Sequence, residues 1–212
     1  VTANGSNDKV TAWVPLTLFE ALQKADAPAV GDLEDSLAEV TARRLGLSRA
    51  VAFQIERYRK LAGSEREVSG EEVLGVLRLV ARRSDAALIF TEAGRRAGRY
   101  LAQGSGGALK WVWRLIPSAR VRDAVGWRLA CNAAAARLGV RLVREGNTVI
   151  ASLERSLAAR ATPDGSACKF YGSAVAELLR SVTSFDGALL HESCTARGDP
   201  ACRWRSVTGF GD

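Results

Sequence analysis

The chain has 212 residues, 47% hydrophobic and 25% charged, with a formal net charge of +7 and a pI near 9.7. That is an ordinary globular composition, long enough for one substantial core or for one domain with a smaller companion. No apolar run approaches the roughly 18 residues needed to span a bilayer, so no membrane span is expected. The basic balance suits an acidic partner or simply a solubilising surface. The opening residues V-T-A-N-G-S-N-D-K lack the basic-then-apolar order of a signal peptide, so a cytoplasmic chain with reduced thiols is expected.

Residues 1–12 are small and polar and read as a disordered tail. A helix is predicted over 15–25, with Leu16, Phe19 and Leu22 on one face and Pro15 suited to its first turn. The segment A-D-A-P-A-V-G-D then breaks the chain, and Asp32 can cap a second helix over 33–45. Val51, Ile55 and Tyr58 mark a third. Across 37–60, Ala42, Gly46 and Ser48 supply the small residues and turn of a helix-turn-helix, with Arg49, Gln54 and Arg57 placed to reach a groove or its phosphates. Duplex DNA is therefore a candidate partner. The competing reading is a plain αα-hairpin that packs on the rest of the chain or dimerises. Ser69 and Glu72 have capping-box spacing at the head of a helix that should run to Arg83. Residues 13–84 thus read as a helical N-terminal region.

A helix over 86–103 follows, in which Gly94 and Gly98, four apart, let another helix or a sheet approach closely. The G-S-G-G run at 104–107 reads as a flexible linker. Trp111 and Trp113 lie in a short apolar run. A long helix is predicted over 118–138, with Trp127 and Cys131 beside its apolar face. Residues 140–143 and 148–153 form a predicted hairpin turning at Glu145-Gly146-Asn147, and 156–165 read as loop. A helical run carrying Val175, Leu178, Leu179 and Val182 then leads to a second hairpin, turning through Gly198-Asp199-Pro200. The order predicts an α+β fold: N-terminal helices followed by an antiparallel sheet of about four strands covered by helices.

Three of the four cysteines and the single histidine fall in the last fifth of the chain. Cys168 opens the helical run, and Cys194 and Cys202 stand at facing ends of the second hairpin. Three thiols with a His or Glu suit a tetrahedral, soft-ligand metal such as zinc. Two plainer readings compete: cysteines as small buried apolar residues, and a Cys194–Cys202 disulfide. Catalytic constellations are largely absent. One histidine cannot serve both a metal and a Ser-His pair, and no Gly-rich dinucleotide turn follows a strand.

Cys168-Lys169-Phe170-Tyr171-Gly172, then His191-Glu192-Ser193-Cys194, Gly198-Asp199 and Cys202-Arg203-Trp204, resemble the C-terminal signature of the 4-vinyl-reductase (4VR) domain family. Phe90-Thr91-Glu92-Ala93-Gly94-Arg95-Arg96-Ala97-Gly98 resembles its opening helix, so the likeness covers residues 85–206. It implies a zinc ion on Cys168, Cys194 and Cys202. The family's carboxylate ligand aligns with His191. Glu192 stands one place along and is the alternative, since in a regular strand it would share a face with Cys194 and His191 would not. A bulge would turn His191 inward, and it is the expected fourth ligand. The resemblance further implies a pocket between helices and sheet, with Trp127, Trp111, Trp113, Phe90 and Tyr171 around it. Such a pocket suits a hydrophobic or aromatic small molecule, in a sensor or a tetrapyrrole-handling accessory protein. A homodimer is expected, because the N-terminal helices carry more apolar positions than one small sheet can cover and relatives of this fold pair through helices. The alternatives are a bacteriochlorophyll-biosynthesis 4-vinyl reductase or assembly factor, and a DNA-binding regulator using residues 37–60.

Overall fold

The computed structural model describes residues 9–27, 45–106 and 118–207, and the fold is α+β, with the N-terminal helices preceding the main sheet. Helix α1 (Trp13–Asp26) is the axis of the N-terminal half. Leu16, Phe19 and Leu22 are buried at helical spacing, and so are Val14, Leu18 and Ala21 on the other sides. The reason is enclosure: α2 (Arg49–Gly63), α3 (Gly70–Ala81) and α4 (Ala86–Gly106) all pack on α1. A helix buried all round must partner any charge it carries. Glu20 accepts hydrogen bonds from Tyr100 (3.0 Å) and Arg59 (3.2 Å). Asp26 accepts from Arg83 (2.7 Å) and from the Gly46 N–H (2.8 Å). The apolar positions that suggested a second copy of the chain are in large part covered by these helices themselves.

The predicted tail differs from the structure at its end. Lys9–Thr11 form β1, which pairs antiparallel with β2 (Glu67–Ser69), Val10 facing Val68. Three residues are too few for periodicity to reveal, and the pairing partner lies far away in sequence. The helix predicted over 33–45 lies outside the described residues except for Leu45, which opens a short 3₁₀ turn. The helix-turn-helix reading likewise has its first half outside them. Within its second half, Ser48 caps α2 by accepting from the Val51 N–H at 3.3 Å. Gly46 answers a packing need: a Cβ there would stand 2.5 Å from the Leu22 carbonyl oxygen. Gln54 and Arg57, nominated for nucleic acid, bond to each other at 3.2 Å, and Arg57 also pairs with Glu72.

That pairing overturns the capping box. Ser69 occupies the cap position of α3 but makes no side-chain cap bond. Glu72 instead takes Arg57 and the Tyr58 hydroxyl, the latter at 2.6 Å, because an ion pair with a guanidinium outweighs a carboxylate bond to one neutral N–H. Those bonds, Arg57's first, hold the Glu72 carboxyl below its ordinary range against the opposing effect of burial. Tyr58→Phe should therefore cost about 1.5 kcal/mol at neutral pH. A depressed carboxylate stabilises the fold above its unfolded-state value, and that contribution is lost as pH falls through the folded-state value. Urea unfolding should show the gap between Tyr58→Phe and wild type narrowing in acid; a gap that widens would contradict this pairing.

Helix α4 extends through Gly104 to Gly106, so the predicted linker begins as helix. Helix α5 (Ala119–Ala133) continues into a π-helical turn, Ala134–Leu138, closed by Gly139. Strands β3 (Arg141–Glu145) and β4 (Thr148–Leu153) form the first hairpin. The predicted loop at 156–165 contains a helix, α6 (Leu157–Ala161), capped by Ser156, whose Oγ accepts from the Ala159 N–H at 3.2 Å. Five residues give too little periodicity to betray it. Helix α7 (Lys169–Val182) and the hairpin of β5 (Leu189–Ser193) and β6 (Cys202–Ser206) complete the chain. The main sheet is antiparallel in the order β3-β4-β6-β5.

Across one row of the sheet Leu142, Ala151, Trp204 and His191 stand in register, and Trp204 packs on α7. Helix α7 in turn lies against α4 at the two glycines read from the sequence. A Cβ on Gly94 would meet the Phe170 carbonyl oxygen at 2.3 Å, and one on Gly98 the Ala174 oxygen at 2.5 Å. The neighbour of that glycine pair is thus a helix. Among the described residues no helix is long and apolar enough to cross a membrane.

Candidate metal centre

The N-terminus of α7 and the facing ends of β5 and β6 meet at one end of the sheet, and Cys168, His191, Cys194 and Cys202 converge there. Each offers one donor atom, and all four lie within 4.8 Å of one another. The three cysteines are fully buried and none is in a disulfide. Their sulfurs form a nearly equilateral triangle, with separations of 3.8 Å for Cys168–Cys194, 3.9 Å for Cys168–Cys202 and 3.8 Å for Cys194–Cys202. Ligands bonded tetrahedrally at about 2.3 Å, as thiolates are, stand about 3.8 Å apart. A disulfide would need sulfurs at about 2.05 Å.

Each ligand is placed by local backbone chemistry. Cys168 is the cap residue of α7 and ends a 3₁₀ turn that starts after Gly165. Gly165 has φ 70°, and a Cβ there would press on the Cys194 sulfur at 2.6 Å, so the position excludes a side chain twice over. Past β5 the chain turns tightly: the Arg197 and Asp199 N–H groups both donate to the Cys194 carbonyl. Gly198, at φ 89°, permits that turn, and Asp199 accepts the Cys194 N–H at 2.6 Å. The Gly-Asp pair thus shapes the loop that presents Cys194. The Thr195 N–H donates to the Cys202 sulfur at 3.4 Å, supporting it from the same loop.

His191 enters through a bulge. Its register partner is Trp204, Ser193 pairs with the next residue back, Arg203, and the shift falls at Glu192. The bulge brings His191 and Cys194 to the same side and sends Glu192 outward, where its carboxylate pairs with Arg205 at 2.8 Å. The imidazole stacks on Trp204, centroids 5.1 Å apart, and its buried Nε2 has no hydrogen-bond partner. A buried nitrogen left unpaired beside three thiols is what a donor set looks like before its ion is counted. His191→Ala should therefore lower metal retention sharply and Glu192→Ala should leave it unchanged, measured as bound metal after gel filtration. The reverse ranking would assign the fourth place to the carboxylate.

Without an ion the thiols cannot all ionise. The Cys168 hydrogen bond pushes Cys202 well down, against burial, while the same contact and burial push Cys168 up. Burial raises Cys194 as well. One sulfur carries the charge and a neighbour keeps the shared proton. A divalent cation reverses this logic, since it stabilises every thiolate at once. The residues fit such an ion, and four protein donors leave no open coordination position, the mark of a structural site.

Of the five aromatic residues expected around a ligand, three lie among the described residues. Phe90 is fully buried on α4 and belongs to the core. Trp127 on α5 is half-buried against that core. Trp111 and Trp113 lie outside the described residues. Tyr171 lines a cleft of about 650 Å³ between β1, the π-helical turn and the end of β4, which neither Phe90 nor Trp127 reaches. Aromatic rings are mostly core, and nothing in their spacing separates the two roles. Ser156, whose Oγ lies 3.7 Å from the Cys168 sulfur, Gly165 and Thr195 also support the site, and they went unread because their roles depend on contacts across the chain; only Asp199 had a signal, the Gly-Asp turn. Compared with protein-family models the chain matches none, and no curated protein matches it.

Proposed function

We propose that the chain is a zinc-stapled module of the 4VR type that binds a hydrophobic or aromatic small molecule, as a sensor or a tetrapyrrole-handling accessory protein. The observation that carries the reading is the Cys₃His cluster with its even sulfur triangle. Zinc is the ion that best suits three thiolates and one imidazole in a closed tetrahedron. The metal's work is then mechanical: it clamps the start of α7 to the ends of β5 and β6, where the loop is too short to bury much apolar surface. The free thiols fit a reducing compartment such as the cytoplasm.

The resemblance of Cys168 to Gly172 and of His191 to Trp204 to the 4VR signature supports the ligand class, with Tyr171 on the wall of a cleft large enough for a small molecule. Elemental analysis of protein purified without chelator should give close to one zinc per chain. Metal-free, fully folded protein with a Cys194–Cys202 disulfide would overturn the metal half. A substituted phenol or a chlorophyllide-like tetrapyrrole should quench tryptophan fluorescence saturably, and no binding by either would overturn the ligand half.

A further inference from the structure

The cleft beside Tyr171 has its own chemistry. It opens because the π-helical turn presents Ala135, Ala136 and Gly139 to it, residues with little or no side chain to fill the space. Wider turns of this kind recur at functional sites. Its volume, about 650 Å³, is within the range of small-molecule sites. Val10, Val14, Leu138, Leu153, Leu157 and the Tyr171 ring supply the apolar part of its lining, and polar and charged groups supply the larger part.

The rim is charged, and most of its charges cancel locally. Arg137 pairs with Glu65 at 2.7 Å, and Arg141 stands 3.9 Å from Glu154. Lys9 and Arg155 remain as cations with no ion pair among the described residues, against Glu67 as the single such acid. The uncommitted charge at the mouth is therefore net positive. An apolar patch within a polar cleft, under a mouth with two available cations, matches a molecule with a flat or oily body and one anionic end.

We infer that this cleft is a binding site for an amphipathic carboxylate, its apolar body against Tyr171 and Leu153 and its carboxylate toward Lys9 and Arg155. The inference rests on the ligand-binding reading above and adds the place and the head group. Of the aromatic set the sequence suggested, Tyr171 lines the cleft and Phe90 and Trp127 do not.

The test uses the full chain with its metal, and two probes of one shape: 2-naphthoate, an anion near neutral pH, and neutral 2-naphthol. Calorimetry should show one saturable site, with naphthoate bound more tightly. Lys9→Ala with Arg155→Ala should weaken naphthoate about tenfold and leave naphthol nearly unchanged. Ala136→Trp, which fills the cleft from an exposed position, should block both probes without lowering the melting temperature. Naphthoate bound as in wild type by both variants would overturn the site while leaving the ligand-binding reading intact. No binding of either probe by wild type would overturn both. Equal losses for naphthoate and naphthol in the double variant would overturn the head-group assignment.

Discussion

Cys202→Ser should strip the protein of its metal and lower its stability by several kcal/mol, since a structural zinc's binding energy is folding energy. Cys202 is the most connected of the four ligands. Its sulfur lies 3.9 Å from Cys168 and 3.8 Å from Cys194 and accepts the Thr195 N–H. It is also the first residue of β6, which pairs with both β4 and β5, so a shift there reaches the centre of the sheet. Serine keeps the size but offers a harder, far less acidic donor. The remaining thiols then sit buried at van der Waals range with less positive charge to stabilise them. Urea unfolding of the variant should match that of wild type held in chelator, and its metal content should fall far below one per chain. Wild-type stability in a metal-free variant would show that the cluster is only three buried cysteines.

Long elements could be read directly from the chain. Leu16, Phe19 and Leu22 on α1 and Val175, Leu178, Leu179 and Val182 on α7 repeat often enough for the helical period to stand out. The Gly146 turn marked the first hairpin, and the cysteine spacing marked the second. What escaped was short or decided by distant contacts. β1 is three residues long and has its partner at Glu67–Ser69; α6 is five residues long. Glu72 had perfect capping-box spacing yet bonds across to α2, because local propensity yields to a charged partner in the tertiary structure. At the site, three thiols were evident from spacing, but whether His191 or Glu192 faces them depends on where a one-residue bulge falls. No period in the sequence encodes that. For the aromatic residues the sequence offered no such guide: Phe90 is core and Tyr171 lines a cleft, and only packing separates the two roles.

Gly98→Val should be among the most damaging single changes outside the metal centre. A Cβ at that position would lie 2.5 Å from the Ala174 carbonyl oxygen, 2.7 Å from the Glu177 Cβ and 2.9 Å from the Leu178 nitrogen. Two of those three atoms are backbone of α7, which cannot rotate aside as a side chain would, so α4 and α7 must move apart. Separation would loosen the core to which Phe90, Ala97 and Leu101 of α4 and Ala174 and Leu178 of α7 all belong. Overpacking that forces backbone shifts typically costs 1–3 kcal/mol, and a branched side chain against two turns of helix places this case at about 3 kcal/mol or more. Cys168 is the cap residue of α7, so the displacement should loosen the metal centre as well. Gly75 supplies the control: it lies on the exposed side of α3, and a Cβ there meets nothing within 4 Å. Gly75→Ala should stabilise the protein by about 0.5–1 kcal/mol, because alanine loses less backbone freedom in a helix. Urea unfolding of both variants, with metal content measured alongside, reads the contrast. A Gly98→Val protein as stable as wild type would mean that α4 and α7 do not meet at this glycine.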